Sequence, residues 1–202
     1  MKFTKIMSMA LALVVLLLSL MVFRMFQKTQ LVMFESVSFN MPLESFEKAF
    51  EKPHEIVEET ETGYNNPWRA KDPYLYKTGR LFYDYENFKW KSYSGRVTVT
   101  FSKSHRLETV AAYFPVTSKA EQQALLDNLS QTVKKELEEV PDYQSMTTET
   151  VGIYDDGYRY KVKLKGQQWE LWVDVYPTEN KYATETETDK YTIRVDQFLM
   201  YP

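Results

Sequence analysis

The sequence predicts an α+β fold. An N-terminal transmembrane helix precedes antiparallel sheet with helix packed on one face, arranged as two tandem helix-plus-sheet modules. Three observations support this prediction. The chain opens with an apolar run, Ile6–Phe23, that has no charged residue. Each half of the remaining chain contains one stretch with helical periodicity. Each of these stretches is followed by segments of alternating apolar and polar residues, which are typical of half-buried strands.

The apolar run predicts a membrane anchor that is not cleaved. A helix of 18 residues is about 27 Å long, close to a hydrocarbon core of roughly 30 Å. A cleaved signal peptide, the competing interpretation, requires small residues where the run ends. The run instead ends in Leu20-Met21-Val22-Phe23. A buried helix of a water-soluble protein usually has a polar face, which this run lacks.

Flanking charge predicts the orientation. Lys2 and Lys5 precede the run, and Arg24 and Lys28 follow it. A short positively charged tail is easily retained in the cytoplasm. We therefore expect a single-pass protein of the inner or plasma membrane, held through Ile6–Phe26, with its C-terminal domain extracytoplasmic. The predicted tail, transmembrane signal anchor, first module and second module are residues 1–5, 6–26, 27–116 and 117–202.

Beyond the anchor the chain is acidic and contains no cysteine. All 28 Asp and Glu lie beyond the anchor Ile6–Phe26, together with 22 of the 25 Lys and Arg, so this part has a net charge of −6. That sign disfavours nucleic-acid binding. It fits either a solvated surface or attraction to a basic partner. The absence of cysteine excludes disulfides, thiolate nucleophiles and cysteine-bound metals.

In the first module, a short helix is predicted between an extended segment and a long loop. Asn40 is the expected cap, with Pro42 in the first turn and Lys52-Pro53 as the stop. Residues 54–73 are predicted as a loop, long enough to suggest a role in binding. Strands are predicted to follow at Tyr74–Tyr76, Leu81–Tyr85, Val97–Phe101 and Leu107–Phe114.

The second module begins with a helix that has a clear start signal. Ser118 and Glu121 form a capping box, and Pro141 ends the helix. Three or four strands are expected after it, with a loop over Thr178–Asp189. The inward stripe consists of apolar residues at helical spacing: Leu126, Leu129, Val133, Leu137 and Val140.

One hairpin can be registered residue by residue. Gly166-Gln167 is predicted as a two-residue II′ turn. The resulting apolar face pairs Leu164 with Trp169, Val162 with Leu171, Tyr160 with Val173 and Tyr158 with Val175. The other face pairs Lys163 with Glu170, Lys161 with Trp172, and Arg159 with Asp174. A slip of one residue would destroy every one of these pairs.

A family resemblance covers residues 37–114. It is carried by Ser38–Pro53, by Val97-Thr98-Val99-Thr100-Phe101 and by Leu107-Glu108-Thr109-Val110. This order resembles the small lipoprotein subunit of the outer-membrane β-barrel assembly machine and, more broadly, the β-lactamase-inhibitor-like modules. The resemblance implies a non-catalytic module that binds another protein. It identifies no binding residues.

Motifs for catalysis are missing. The segment His54-Glu55-Ile56-Val57-Glu58 lacks the second histidine of a zinc protease helix. His105 stands alone in a predicted turn. A serine nucleophile would need a base, and the chain has only two histidines; its six glycines form no phosphate loop. We predict no enzyme activity, catalytic residue, cofactor or metal site.

Aromatic residues supply the candidate binding sites. The long loop contains Trp68 and Arg69, residue types that dominate binding hot spots, beside Asn65 and Asn66. Trp68 folding back onto the sheet is the structural alternative. Trp172, which shares a sheet face with Lys161, is either a charge-stacked surface residue or part of an interface. Strand tyrosines form either core or an exposed platform: Tyr74, Tyr76, Tyr83 and Tyr85.

The predicted function is that of a membrane-anchored, non-enzymatic, extracytoplasmic protein-binding module of the cell envelope. Its partner would be another envelope protein or a secreted toxin. The first alternative is an inhibitor or immunity protein that neutralises a toxin or enzyme in the envelope. An envelope hydrolase is the second alternative.

Overall fold

The main element of the fold is an antiparallel sheet of eight strands. The computed structural model describes residues 30–50, 53, 55–58, 79–151, 156–179 and 190–200. The elements are β1 (Gln30–Leu31), β2 (Phe34–Ser38), α1 (Leu43–Ala49), β3 (Glu55–Glu58), β4 (Leu81–Trp90), β5 (Tyr93–Phe101), β6 (Leu107–Val116), α2 (Lys119–Glu138), β7 (Tyr143–Thr150), β8 (Tyr158–Leu164), β9 (Glu170–Glu179) and β10 (Tyr191–Met200). Strands β1 and β2 pair separately, and their side chains join the same core.

The order of strands in the sheet is β3-β4-β5-β6-β10-β9-β8-β7. The two halves of the chain therefore meet at its centre, where β6 and β10 pair along eight residues of each strand, from Val116 opposite Tyr191 to Thr109 opposite Phe198. This continuous pairing corrects the predicted fold class. The predicted fold class of two tandem helix-plus-sheet modules is wrong, because the described part of the chain forms mainly one antiparallel sheet with two helices.

The predicted membrane anchor, Ile6–Phe26, lies outside the described residues. Neither described helix could replace it. At 1.5 Å per residue, α1 spans about 10 Å, and α2 carries charges such as Lys119, Asp127 and Lys134 along its length. No helix in the described ranges is long and apolar enough to cross a membrane. The prediction of a single-pass membrane protein with an extracytoplasmic domain is corrected accordingly, because this structure gives it no support.

Helix α1 is held by one buried phenylalanine. Phe46 has no exposed surface, and it packs on the sheet between Tyr83, Tyr85 and Phe101. Asn40 is not the cap: its φ is +64°, and its backbone N–H donates to the carbonyl of Leu107 at 2.9 Å. The N-cap is Pro42, which makes no side-chain capping bond. Packing rather than a local capping signal therefore places this short helix.

Tyr83 and Tyr85 belong to the core, each 4% exposed, so an exposed platform at these two positions is excluded. The other two tyrosines of that predicted group, Tyr74 and Tyr76, lie outside the described residues. The predicted loop over residues 54–73 is wrong in part. Glu55–Glu58 form β3, which pairs with β4 from Glu55 opposite Asp84 to Glu58 opposite Leu81.

The start of α2 confirms half of the predicted capping box. The Ser118 hydroxyl accepts from the Glu121 backbone N–H at 3.2 Å. The Glu121 carboxylate instead accepts from the backbone N–H of Thr117 at 3.0 Å and from its hydroxyl at 2.7 Å. The predicted inward stripe is confirmed: four of its members are at most 1% exposed, namely Leu126, Leu129, Val133 and Leu137. Alternating apolar residues of β8, β9 and β10 share the same core.

The β8–β9 register is confirmed at six predicted pairs, from Tyr158 opposite Val175 to Lys163 opposite Glu170. The turn differs from the predicted one. The Gln167 N–H donates to the Leu164 carbonyl at 3.2 Å, and Gly166 has a φ of +78°. Gly166 thus takes the third position of the turn, where positive φ favours glycine. Cross-strand side-chain pairing fixed the register despite the different turn.

Tyr83 links α1 to the sheet in a way that depends on pH. Its hydroxyl donates to the Glu47 carboxylate at 2.5 Å. Burial, followed by the bond and the charge of Glu47, raises the pKa of Tyr83 from 10.0 to about 12. As pH rises, the unfolded chain loses the Tyr83 proton before the folded protein does. The contribution of the protonated Tyr83 to the free energy of unfolding is therefore complete below pH 10 and disappears between about pH 10 and pH 12.

We expect Tyr83→Phe to reduce the fall in unfolding free energy between pH 8 and pH 11 by about 1–1.5 kcal/mol, because pH 11 lies one pH unit above the ordinary pKa of tyrosine. Urea unfolding of both proteins at pH 8 and at pH 11 measures it. If the fall is equally steep without the phenol, other tyrosines cause it.

Candidate partner-binding face

The sheet has one face packed under the helices and one face without a helix among the described residues. We call the second one the outer face. Side chains alternate along a strand, so one residue in two points to this side. Its central part consists of Arg96 and Thr98 on β5, Ala111 and Tyr113 on β6, Arg194, Asp196 and Phe198 on β10, Trp172, Asp174 and Tyr176 on β9, and Arg159 and Lys161 on β8.

The first row across this face alternates cations and aromatic rings. Arg96 is paired with Tyr113, Tyr113 with Arg194, and Arg194 with Tyr176. The guanidinium carbons of Arg96 and Arg194 lie 4.9 and 5.2 Å from the centre of the Tyr113 ring. Arg194 is also 5.8 Å from the Tyr176 ring. Stacking on the rings fixes the orientation of these guanidinium groups, so they lose less conformational entropy on binding.

Beyond Tyr176 the row ends at Gly157. A Cβ built on Gly157 would lie 2.7 Å from the Tyr176 Cβ, closer than real Cβ contacts allow. Glycine at this position therefore permits the close approach of strand β9, and the tyrosine ring keeps its place in the row.

The second row contains two adjacent carboxylates. Asp196 lies directly opposite Asp174, which is 5% exposed. Like charges at such positions repel each other. Each has its own cation: Arg159 binds both oxygens of Asp174 at 2.7 and 2.6 Å, and Arg194 Nε donates to Asp196 at 2.8 Å. The Tyr176 hydroxyl also donates to Asp196, at 2.6 Å.

These pairs are visible in the pKa values of the two arginines. The hydrogen bonds to Asp174 raise the pKa of Arg159. Burial by itself lowers the pKa of Arg194, but attraction to Asp196, Tyr113 and Tyr176 outweighs it, and the net shift is upward. Both guanidinium groups therefore remain charged and offset the charge of the carboxylates that they contact.

The third row forms an aromatic corner. The rings of Trp172 and Phe198 are 5.9 Å apart. Arg159 and Lys161 lie over the Trp172 ring at 4.7 and 4.6 Å. Met200, two residues along β10, is 37% exposed, the largest exposure of any big apolar side chain in the described ranges. We call Trp172, Phe198 and Met200 the aromatic corner.

The structure therefore places one of the predicted site residues. Trp172 is half-buried on the outer face with Lys161 against its ring, the contact that the hairpin register predicts. The other candidates, Trp68, Arg69, Asn65 and Asn66, lie outside the described residues. Sequence reasoning missed Arg194, Asp196 and Tyr113. Alternation along β10 could have placed the first two on one face, but Tyr113 reaches them only through the β6–β10 pairing.

Within the ranges described, no group of three or more His, Asp or Glu is arranged to hold a metal ion. The carboxylates of the second row are already neutralised by arginines. His105 lies alone in the turn after β5, with a φ of +55°.

No protein-family model, curated protein or solved structure matches this chain. The resemblance given above therefore remains a prediction.

Proposed function

We propose that the protein is a non-enzymatic binding module that uses its outer face to bind another protein. The observation that carries this proposal is the aromatic corner. Trp172 is half-buried, with two cations over its ring and Phe198 beside it, on the sheet face that carries no helix among the described residues. Trp, Tyr and Arg are the residue types most enriched at binding hot spots. All three types occur in the rows of this face.

The Trp172 side chain is already held in place before a partner binds. Trp172 Nε1 donates to Glu170 at 3.0 Å, so the indole is fixed at its polar edge as well as on its ring. A side chain that is already ordered loses little entropy when a partner covers it. Arg96 adds a cation at the far side of the face, exposed and, in the described part of the chain, without an ion pair. The fitting partner surface is apolar opposite the aromatic corner and acidic opposite Arg96.

Site-specific crosslinking tests the proposal. A photoreactive phenylalanine analogue replaces Trp172, and the protein is illuminated in the cells that produce it. The matched control places the same probe at Lys134, an exposed residue of α2 on the other side of the sheet. We expect a defined protein to crosslink at Trp172 and not at Lys134.

The affinity for the crosslinked protein then measures how much Trp172 contributes to binding. Trp172→Ala is expected to weaken binding at least about tenfold, equal to roughly 1.4 kcal/mol, as for a hot-spot residue. Lys134→Ala should leave the affinity unchanged. Calorimetry gives the two constants, and circular dichroism verifies that both variants are folded. Equal crosslinking at the two positions, or equal affinity of the two variants, would contradict the proposal.

A further inference from the structure

Strand β7 ends the sheet with an uncovered backbone edge. It pairs with β8 on one side and stands last in the strand order. Six of its eight residues are exposed. Within the described part of the chain, the further hydrogen bonds of Tyr143–Thr150 go only to Val140 and Lys161. One row of its N–H and C=O groups is therefore open to a further strand.

Native proteins commonly protect such edges with lysine, proline, short length or a bulge. The sequence of β7, Tyr143-Gln-Ser-Met-Thr-Thr-Glu-Thr150, contains neither lysine nor proline. Its register irregularity lies at one end, between Tyr143 and Ser145. The stretch from Met146 to Thr150 is regular and rich in threonine, a residue that favours strands.

The geometry points to a second copy of this chain as the occupant, paired antiparallel with β7 about a two-fold axis perpendicular to the sheet. Charge supports self-pairing. The only charged side chain of β7, Glu149, is already bound to Lys161 of its own chain at 2.6 Å. The strand edge is thus neutral overall and favours neither a basic nor an acidic partner strand. A second β7 is equally neutral and offers the same hydroxyl-rich side chains.

Symmetry restricts the register. A two-fold axis perpendicular to the sheet places the outer faces of the two copies on the same side. Each residue of β7 must therefore lie opposite a residue whose side chain points to that same side. An axis through Met146, Thr147 or Thr148, in the regular part of β7, satisfies this rule and keeps the Glu149 side chains of the two copies apart. An axis at Thr147 or Thr148 places Glu149 opposite Ser145 or Thr147 of the other copy, and an axis at Met146 places it beside the irregular end of β7. In none of these cases does it lie opposite another acidic residue. Met146 packs against the core, so it lies opposite residues of the other copy whose side chains also point to the helix-covered face of the sheet.

Single cysteines test this pairing cleanly, because the chain has none of its own. Opposed residues of antiparallel strands have Cα atoms about 4.5–5.5 Å apart, within the range that a disulfide spans. We expect one of the variants Met146→Cys, Thr147→Cys and Thr148→Cys to form a covalent dimer on mild oxidation. Its yield should exceed that of Lys103→Cys, an exposed control in the turn between β5 and β6, by about tenfold or more.

Sedimentation of the full chain gives an independent measurement. We expect a reversible dimer with a dissociation constant between about 1 μM and 1 mM, the range typical of small interfaces. Thr147→Glu places a carboxylate opposite Lys161 of its own chain, which preserves the fold, and adds repulsion near the axis. It should weaken dimerisation about tenfold. A monomer throughout that range, or crosslinking no greater than the control at all three positions, would overturn the inference. The disulfide test reads the pairing of the β7 backbone edge and the crosslinking test reads contacts at Trp172, so failure of one proposal can be told from failure of the other.

Discussion

Phe46→Ala is expected to destabilise the protein by about 3–5 kcal/mol, the usual cost of removing a fully buried phenylalanine. Phe46 has no exposed surface, and its ring lies 5.1 Å from Phe101 and 5.3 Å from Phe50. It also makes edge contacts with Tyr83 and Tyr85 at 6.3 Å. Because α1 has only seven residues, its stability comes from this packing rather than from its own hydrogen bonds.

Urea unfolding followed by tryptophan fluorescence measures the change. The matched control is Phe198→Ala, the same truncation on the outer face, where the side chain is only partly buried. We expect the control to cost about 1 kcal/mol, as a partly exposed site should. Equal losses at the two positions would mean that Phe46 does not anchor α1 as the structure indicates.

Replacing Arg159 by methionine should destabilise the protein by about 3 kcal/mol. The side chain binds Asp174 through two bonds of 2.7 and 2.6 Å, and Asp174 stands directly opposite Asp196. Without the guanidinium, a nearly buried carboxylate is left beside a second one. Breaking a buried ion pair costs about 3–5 kcal/mol, and the value here lies at the lower end because Arg159 is 28% exposed.

Lys163→Met provides the control on the same strand and the same face. Lys163 is 63% exposed and lies 3.8 Å from Glu170, so its loss should cost less than about 1 kcal/mol. Adding Asp174→Asn to Arg159→Met should restore part of the stability, because it removes the unpaired charge. Equal effects of the two methionine substitutions, or no recovery in the double variant, would show that the Arg159–Asp174 pair carries no special stability.

Predictions from sequence succeeded where the deciding contacts are close along the chain. The β8–β9 register required only that apolar residues share one face and that Lys163, Lys161 and Arg159 find partners on the other. The inward stripe of α2 followed from helical periodicity, and the capping bond from Ser118 to Glu121 followed from spacing. The turn was wrong because several turn geometries permit the same register, and side-chain pairing dominates the choice.

Predictions failed where partners are distant along the chain. Nothing near β6 in the sequence indicates that it pairs with β10, because α2, β7, β8 and β9 lie between these two strands along the chain. The two halves were therefore predicted as separate modules. The row of Arg96, Tyr113 and Arg194 was missed for the same reason, since it exists only once β5, β6 and β10 lie side by side.

The amino-acid order alone settled which residues alternate, which helix face is apolar and how β8 and β9 pair. These features depend on backbone periodicity and on neighbours a few residues away. Tertiary structure alone decided that eight strands share one sheet, that aspartates from β9 and β10 face each other under two arginines, and that β7 stands at an edge. Such arrangements depend on contacts between distant segments, whose pairing is set by burial of the whole core and by no local pattern.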